Sequence, residues 1–204
     1  MHALYAYETA VGIRVFQDTV ATQDVGLLRD ARKHIEFVTR MERLDTSMLA
    51  IIQRADPTFR KLEDQAEVAV NEKGCKVEFL RRMATSDDPH LAKLCRKDDD
   101  LYAVHARRAD VLAAAPPFEH VIVSNTGRMV TMKTVNPAVF MSFKRWMGTD
   151  ASERERYKLR RDRMQADLVE SLLHEGLLIS QVPKLADASL SEGHGEASES
   201  VVRP

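Results

Sequence analysis

Residues 22–30 of the chain read TQDVGLLRD, and this stretch decides how the rest of the sequence is interpreted. Its aliphatic residues, framed by polar ones, predict a short strand over Thr22–Leu28 in a half-buried sheet. Asp24 lies on this strand, and the position two residues further along shares its face because side chains alternate along a strand. That position holds Gly26, which has no side chain to contribute. This face of the strand therefore carries one carboxylate, Asp24.

A second carboxylate follows a polar turn. Two apolar stretches, 66–70 and 75–80, flank an Asn-Glu-Lys-Gly sequence, which predicts a β-hairpin with Gly74 in its turn. Glu78 lies between apolar neighbours in the second strand, so its side chain must face away from the core or bind a ligand. Without further information, ordinary solvated carboxylates at strand ends explain Asp24 and Glu78 best.

The remaining pattern predicts helices around these strands. Apolar residues at helical spacing, with Pro or Gly at the ends, indicate helices over 1–12, 42–55, 101–115, 137–147 and 151–175. Short strands are expected at 13–16, 120–124 and 129–134, the last two joined as a second hairpin. We therefore expect an α+β fold, a mixed sheet with flanking helices and a helical C-terminal part.

The chain divides into three predicted parts. We expect an α/β core over 1–100, a hairpin plus helical part over 101–183, and a disordered tail over 184–204. The 204 residues, 44% of them apolar, suffice for one core with peripheral helices or for two small domains.

Composition also narrows the location and the chemistry. The longest apolar runs, such as Val111–Ala115, are far shorter than the roughly 20 residues of a membrane-spanning helix. No secretory signal is visible at the N-terminus, so a cytoplasmic location without membrane contact is expected. Cys75 and Cys95 have no CxxC spacing and are interpreted as two reduced thiols.

Charge is unevenly distributed although the net charge is only −1. Between Lys144 and Arg163 basic residues outnumber acidic ones eight to four, whereas the tail after Lys184 is acidic. Guanidinium groups bind phosphate oxygens in a bidentate way, so this basic helical region suits a triphosphate or a nucleic-acid backbone. A charge run of this kind is more often a solvated helix face.

Five blocks in order carry a family resemblance. They are MHALYAYETAVG at 1–12, ATQDVGLLRD at 21–30, NEKGCKVEFLRR at 71–82, FEHVIVSNTGRMVTMKTVNPAVFMSFKRWM at 118–147 and ERYKLRRDRMQADLVESLL at 155–173. Their order and spacing resemble bacterial nucleotidyltransferase-fold proteins of the DNA polymerase beta type that carry a T-x-D-x-D motif. The resemblance implies a nucleotidyltransferase-like mixed sheet and transfer of a nucleotidyl group from a nucleoside triphosphate to an acceptor. It leaves the acceptor open among protein, RNA and small molecules.

The resemblance also implies a site. Asp24 would hold Mg²⁺, and Glu78 would assist as a ligand or as a base. Lys144, Lys158 and Arg161 would neutralise phosphate charge. Lys158 and Arg161 belong, with Asp162 and Gln165, to a K-x-x-R-D-x-x-Q pattern, although a helical pair of Lys158 with Asp162 explains that aspartate equally well.

Two departures from the family pattern weaken the expected activity. Gly26 stands where the family has the second aspartate, so one metal ligand is lost. The family also has a Gly and a Ser or Thr ahead of its first block, and this chain begins at Met1, so we expect an N-terminally shortened chain or a misplaced start.

Three functions follow from these observations. The first is a nucleotidyltransferase, with activity weakened at position 26. The second is a catalytically inactive nucleotide- or protein-binding module of the same fold. The third, a nucleic-acid-binding protein that uses residues 144–163, ranks last because the sequence shows no interleaved aromatic residues.

Overall fold

The computed structural model describes residues 3–15, 24–29, 45–83, 94–95, 97, 100–124, 126–149 and 155–179. The helices are α1 (Ala3–Val11), α2 (Met48–Ala55), α3 (Ala109–Ala114), α4 (Pro137–Thr149) and α5 (Arg156–His174). The strands are β1 (Asp24–Arg29), β2 (Arg60–Lys61), β3 (Val68–Val70), β4 (Lys76–Arg81), β5 (Val104–His105), β6 (Phe118–Val123) and β7 (Met129–Thr134). The fold is α+β, as predicted. The predicted tail over 184–204 lies outside the described residues.

The main sheet is mixed and is built around β4. β1 pairs with β4 in parallel, and β3 pairs antiparallel with the first half of β4, followed by β2 at the edge. β5 adds a short parallel pairing to the last two residues of β4. The strand predicted over Thr22–Leu28 is confirmed from Asp24 onwards, and residues 22–23 lie outside the described residues. The first hairpin is confirmed, with Gly74 in the left-handed region at φ 77°.

The core of this half lies on one face of the sheet. Phe59, Ala69, Val77, Phe79 and Leu101 are buried there, and partly buried residues of α2 pack against them. α2 begins at Met48, later than the predicted start at 42, because two groups cap its first turn. The side chain of Ser47 accepts a hydrogen bond from the Ala50 amide at 3.1 Å. The buried carboxylate of Asp100 accepts from the amides of Met48 and Leu49, both at 3.0 Å.

The helix predicted over 101–115 is wrong for its first half. Leu101 and Ala103 are buried while Tyr102 and Val104 are half-buried, which is the two-residue alternation of an extended strand. Val104 and His105 complete the edge of β4, and only 109–114 form a helix. Pairing with β4 therefore overrides the helical spacing of the apolar residues.

A second core joins the two ends of the described chain. The β6–β7 hairpin, α1, α4 and α5 meet around Leu4, Tyr7, Phe140, Val169 and Leu172. Tyr7 contacts the rings of Phe118 and Phe140 edge to face, at 5.3 and 5.5 Å between centroids. The second hairpin and the helix from Pro137 are confirmed. Because α1 packs against the C-terminal helices, the division at residue 100 stays a prediction.

The segment that follows α1 is not the strand that the sequence predicts. The strand predicted at 13–16 does not form over 13–15, because the Ile13 and Val15 amides bond back to Glu8 beyond Gly12 at φ 69°. Phe16 lies outside the described residues.

α5 ends at His174, and the left-handed Gly176, with φ 70°, follows it as predicted.

The buried face of α5 differs from the one that the spacing predicts. Asp162, Gln165, Ala166, Val169 and Leu172 are buried. Tyr157 and Met164, which the sequence placed on the apolar face, are exposed. Among the described helices, none is both long enough and apolar enough to cross a membrane.

Candidate functional site

The two predicted carboxylates lie on neighbouring parallel strands. In the register of β1 and β4, Gly26 pairs with Glu78 and Asp24 pairs with Lys76. Residues in register on paired strands share a face, and positions 24 and 26 share one by alternation. The structure therefore places positions 24, 26 and 78 on the same face of the sheet.

The surroundings of Gly26 confirm which face this is. A Cβ atom built at Gly26 has the Leu80 Cδ1 atom as its nearest neighbour, at 3.4 Å. Leu80 is two residues beyond Glu78, on the same side of β4. Val77 and Phe79 point to the opposite side, into the core, whereas Glu78 is half-buried. Glu78 thus faces away from the core, as the alternation predicted.

Lys76 is a neighbour of Asp24 that the sequence did not single out. It is exposed and lies in register with Asp24 across the β1–β4 pair. The parallel register that makes them neighbours joins residues 52 positions apart, so no local pattern indicates it.

The residues at this face match the ligand chemistry of Mg²⁺ in part. Within the described residues, no group of three or more His, Cys, Asp or Glu side chains is arranged to hold a metal ion. Mg²⁺ is commonly bound by one or two carboxylates together with substrate phosphates and water. The sequence predicts Asp24 and Glu78 as such a pair, whereas a set of three carboxylates is incomplete because position 26 is glycine.

Lys144 and Asp162 form a buried ion pair between α4 and α5. The Lys144 Nζ atom lies 2.5 Å from the Asp162 Oδ1 atom, and the two side chains are 4% and 0% exposed. Asp162 therefore pairs across the helix interface with Lys144, and the alternative of a helical pair with Lys158 is not what the structure shows. Two charges removed from water in this way stabilise each other, and each is costly without the other.

The other predicted phosphate-binding residues lie along the first turns of α5. Lys158 forms an ion pair with Glu155 at 2.5 Å, and this hydrogen bond raises the pKa of the lysine, which stays charged at neutral pH. Arg161 is half-buried, and Gln165 is buried one turn further along. The K-x-x-R-D-x-x-Q pattern thus contains two half-buried cations, Lys158 and Arg161, and two buried residues, Asp162 and Gln165.

The carboxylates and the basic residues belong to two different parts of the fold. Asp24 and Glu78 lie on the sheet, whereas Lys144, Lys158 and Arg161 lie on the helical pair. α3 contacts both β4 and α4, and it connects the two parts. At its start the Arg108 guanidinium lies over the Trp146 ring, 4.6 Å from the ring centroid. The link is therefore a packed helix stabilised by a cation–π contact.

The described residues form an α+β fold with a mixed sheet, consistent with the nucleotidyltransferase class. A family described as Nucleotidyltransferase matches residues 1–190, and the chain belongs to this family. Its members transfer nucleotidyl groups, which implies a nucleoside triphosphate substrate. Searches of curated proteins and of solved structures gave no match.

Proposed function

We propose that the protein transfers a nucleotidyl group from a nucleoside triphosphate to an acceptor at the face of the sheet formed by β1 and β4. The observation that supports it is the parallel register, which pairs position 26 with Glu78 and places position 24 on the same face of the sheet. Membership of the family supplies the reaction class. The acceptor is a protein, an RNA or a small molecule that offers a nucleophilic oxygen.

The proposed reaction balances without a further reagent. The acceptor oxygen forms a bond to the α-phosphorus, the bond from that phosphorus to the β-phosphate breaks, and pyrophosphate leaves. The proton of the acceptor passes to Glu78 or to water. Mg²⁺ held by Asp24 and Glu78 would supply positive charge to the phosphate oxygens. Placement of the attacking oxygen in line with the leaving group provides much of the remaining acceleration.

In this proposal the cationic residues of the helical pair neutralise the triphosphate. Lys158 and Arg161 are both half-buried, and Arg161 offers a bidentate guanidinium. Lys144 belongs to the same set, but its buried pair with Asp162 competes with phosphate for its charge. We therefore expect Lys158 and Arg161 to contribute more to triphosphate affinity than Lys144.

The activity is expected to be weak because of Gly26. The Cβ position there is open, so the fold tolerates a side chain that the sequence does not provide. The same observation favours the second candidate function, an inactive module that binds a nucleotide or a protein. In that case a nucleotide binds without Mg²⁺ dependence and no pyrophosphate is released.

Calorimetric titration with each nucleoside triphosphate, with and without Mg²⁺, separates these functions. The wild type is expected to bind at least one nucleotide more tightly with Mg²⁺, and Asp24→Ala and Glu78→Gln are expected to lose that gain. Glu72→Gln, an exposed carboxylate in the turn before β4, is the matched control. Binding that is equal with and without Mg²⁺, in all variants, would favour the inactive module.

A further inference from the structure

Tyr157 lies at the start of α5 and is the most exposed of the described tyrosines. Its side chain is 61% exposed, although the spacing of the sequence placed it on the apolar face of the helix. The Lys158 Nζ atom lies 5.5 Å from its ring centroid, so a cation borders the ring. An aromatic ring therefore stands in solvent inside the basic region, where the sequence appeared to lack interleaved aromatic residues.

Three arginines lie on the same first turns of α5 as this tyrosine. Arg156, Arg160 and Arg163 recur at helical spacing and line one open cleft of about 360 Å³, which Leu159, Met164 and Asp167 complete. The Arg163 Nε atom donates to the Gly148 carbonyl at 2.8 Å, which fixes this side chain against α4. The cleft thus has a basic wall with one acidic residue, Asp167, at its far end.

Within the described residues, the positive charges of these arginines are not balanced by ion pairs, unlike those of Arg145 and Lys158. Arg145 is paired with Glu170 and Asp167, and Lys158 is paired with Glu155. In the part of the chain that the structure describes, no carboxylate forms an ion pair with Arg156, Arg160 or Arg163. Unpaired guanidinium groups beside an exposed ring attract a polyanion that also presents aromatic faces.

We propose that the first turns of α5 bind a single-stranded nucleic acid, with a base stacked on Tyr157 and the backbone phosphates on Arg156, Arg160 and Arg163. From Arg156 to Arg163 the helix rises about 10 Å, at roughly 1.5 Å per residue. Cations spread over that length can contact more than one phosphate of the backbone. Stacking selects a single strand, because the bases of a duplex are already stacked on each other.

The proposed surface also bears on the acceptor of the transfer reaction, which would then be a single-stranded nucleic acid. If the strand bound there is the acceptor, its terminal hydroxyl is the nucleophile of the transfer reaction, and this part of the inference rests on the proposed function. Binding itself does not, because the residues of this surface differ from Asp24, Glu78, Lys144, Lys158 and Arg161. The two can therefore be tested separately.

The test is fluorescence anisotropy with labelled RNA and DNA oligonucleotides of about 12 nucleotides, within the usual site size of such surfaces. Tyr157→Ala is expected to weaken binding roughly 5- to 100-fold, while Tyr157→Phe keeps the stacking ring and the affinity. Arg156→Gln combined with Arg160→Gln is expected to lower the slope of log affinity against log salt by about 1.4, or roughly 0.7 per lost contact. Arg54→Gln, an exposed arginine on α2, is the matched control and changes neither quantity.

Several outcomes would overturn the inference. Absence of oligonucleotide binding, equal affinity for a duplex and a single strand, or equal losses for Tyr157→Phe and Tyr157→Ala each contradict it. Calorimetric titration of the same variants with nucleoside triphosphate and Mg²⁺ identifies which proposal fails. Nucleotide binding without strand binding overturns only this inference, whereas strand binding without nucleotide binding supports the surface and overturns its role in acceptor binding.

Discussion

Gly26 lies where a single side chain would change the charge of the site. The nearest atom to a Cβ there is 3.4 Å away, so aspartate fits on the face that carries Glu78. We predict that Gly26→Asp increases the affinity for nucleoside triphosphate in the presence of Mg²⁺ by about tenfold or more, because a hard cation gains an oxygen ligand. Calorimetric titration measures this.

Gly26→Asn is the matched control for this prediction. It has nearly the same shape as aspartate but no negative charge, and it is expected to give little gain. An equal gain for Asn and Asp would show that packing at position 26, and not metal ligation, limits binding. Without Mg²⁺ the new aspartate is expected to weaken nucleotide binding, because like charges repel.

Cys95 is the residue with a clear prediction for chemical reactivity. Burial, and then a hydrogen bond to Asp100, raise the pKa of its thiol to about 11. Since the thiolate is the reactive form, alkylation of native Cys95 at pH 8 is expected to be about two orders of magnitude slower than in the unfolded chain. Peptide mapping by mass spectrometry after iodoacetamide treatment, with and without urea, measures the ratio.

The raised pKa of Cys95 also determines whether its contribution to stability rises or falls with pH. Above about pH 8.5 the thiol ionises in the unfolded chain but remains protonated in the folded one. The unfolded state then binds fewer protons, so the contribution of Cys95 to stability falls as the pH rises from about 8.5 towards 11. Cys95→Ser, which does not titrate there, should lack this part of the decline. Identical pH profiles for the two proteins would contradict the prediction.

At the scale of single residues, alternation along a strand was the most informative signal. It placed Glu78 opposite the core, and the structure agrees. It gave no information on Lys76, which becomes a neighbour of Asp24 only through the parallel register. Local periodicity thus predicts which way a side chain points, but the partners across a sheet depend on long-range pairing.

At the scale of the elements, the interface of α4 and α5 contains the buried ion pair of Lys144 and Asp162. Asp162→Ala is expected to destabilise the fold by about 3–5 kcal/mol, because Lys144 is left charged and buried. The double variant Lys144→Met with Asp162→Leu removes both charges and is expected to recover most of that loss. Urea denaturation of the two single variants and the double variant gives the coupling energy.

Nucleotide titration of the same double variant tests the role of Lys144. Unchanged affinity for nucleoside triphosphate would show that the pair acts only in packing. A loss much larger than that of Lys158→Gln would contradict our expectation that Lys144 contributes least.

The two helices also approach closely at Gly148. A Cβ built there lies 2.6 Å from the Arg163 Cγ atom and 3.3 Å from the Leu159 carbonyl oxygen. We predict that Gly148→Ala destabilises the protein by about 1–3 kcal/mol, because the helices must separate or Arg163 must move. Thermal unfolding measures the loss. Gly12→Ala, at a site with no atom within 4 Å but with φ at 69°, is the control that isolates backbone strain.

Elements with strong end signals were predicted well, and those whose state depends on a partner were not. Proline at 137 and glycine at 176 mark real helix ends. The apolar residues at 101–104 suit a helix or a strand, and only the free edge of β4 decides for a strand. On α5, Asp162 and Gln165 take core positions that a pattern of apolar residues does not predict, and Tyr157 is exposed instead.

At the scale of the whole molecule, the fold has two cores that do not follow the order of the chain. One lies under the main sheet, and the other unites α1 with the hairpin and the last two helices. The predicted metal ligands belong to the first and the predicted phosphate-binding residues to the second. A productive site therefore depends on the packing of α3, which contacts β4 and α4.

Tyr7 tests this arrangement because it joins the first helix to the last elements of the chain. Its ring packs between Phe118 and Phe140, and its hydroxyl donates to the Val135 carbonyl. Tyr7→Ala is expected to cost about 3–5 kcal/mol through the cavity it leaves. Tyr7→Phe keeps the ring and is expected to cost about 1 kcal/mol, the net value of the hydrogen bond.

The part of the molecule that Tyr7→Ala destabilises is more informative than the total stability lost. Hydrogen exchange of Tyr7→Ala is expected to speed up in β6, α4 and α5, which share its core, and to change much less in β3 and β4. An equal rise in both cores would show that the molecule unfolds as one cooperative unit. A larger rise in β3 and β4 would contradict the assignment of Tyr7 to the second core.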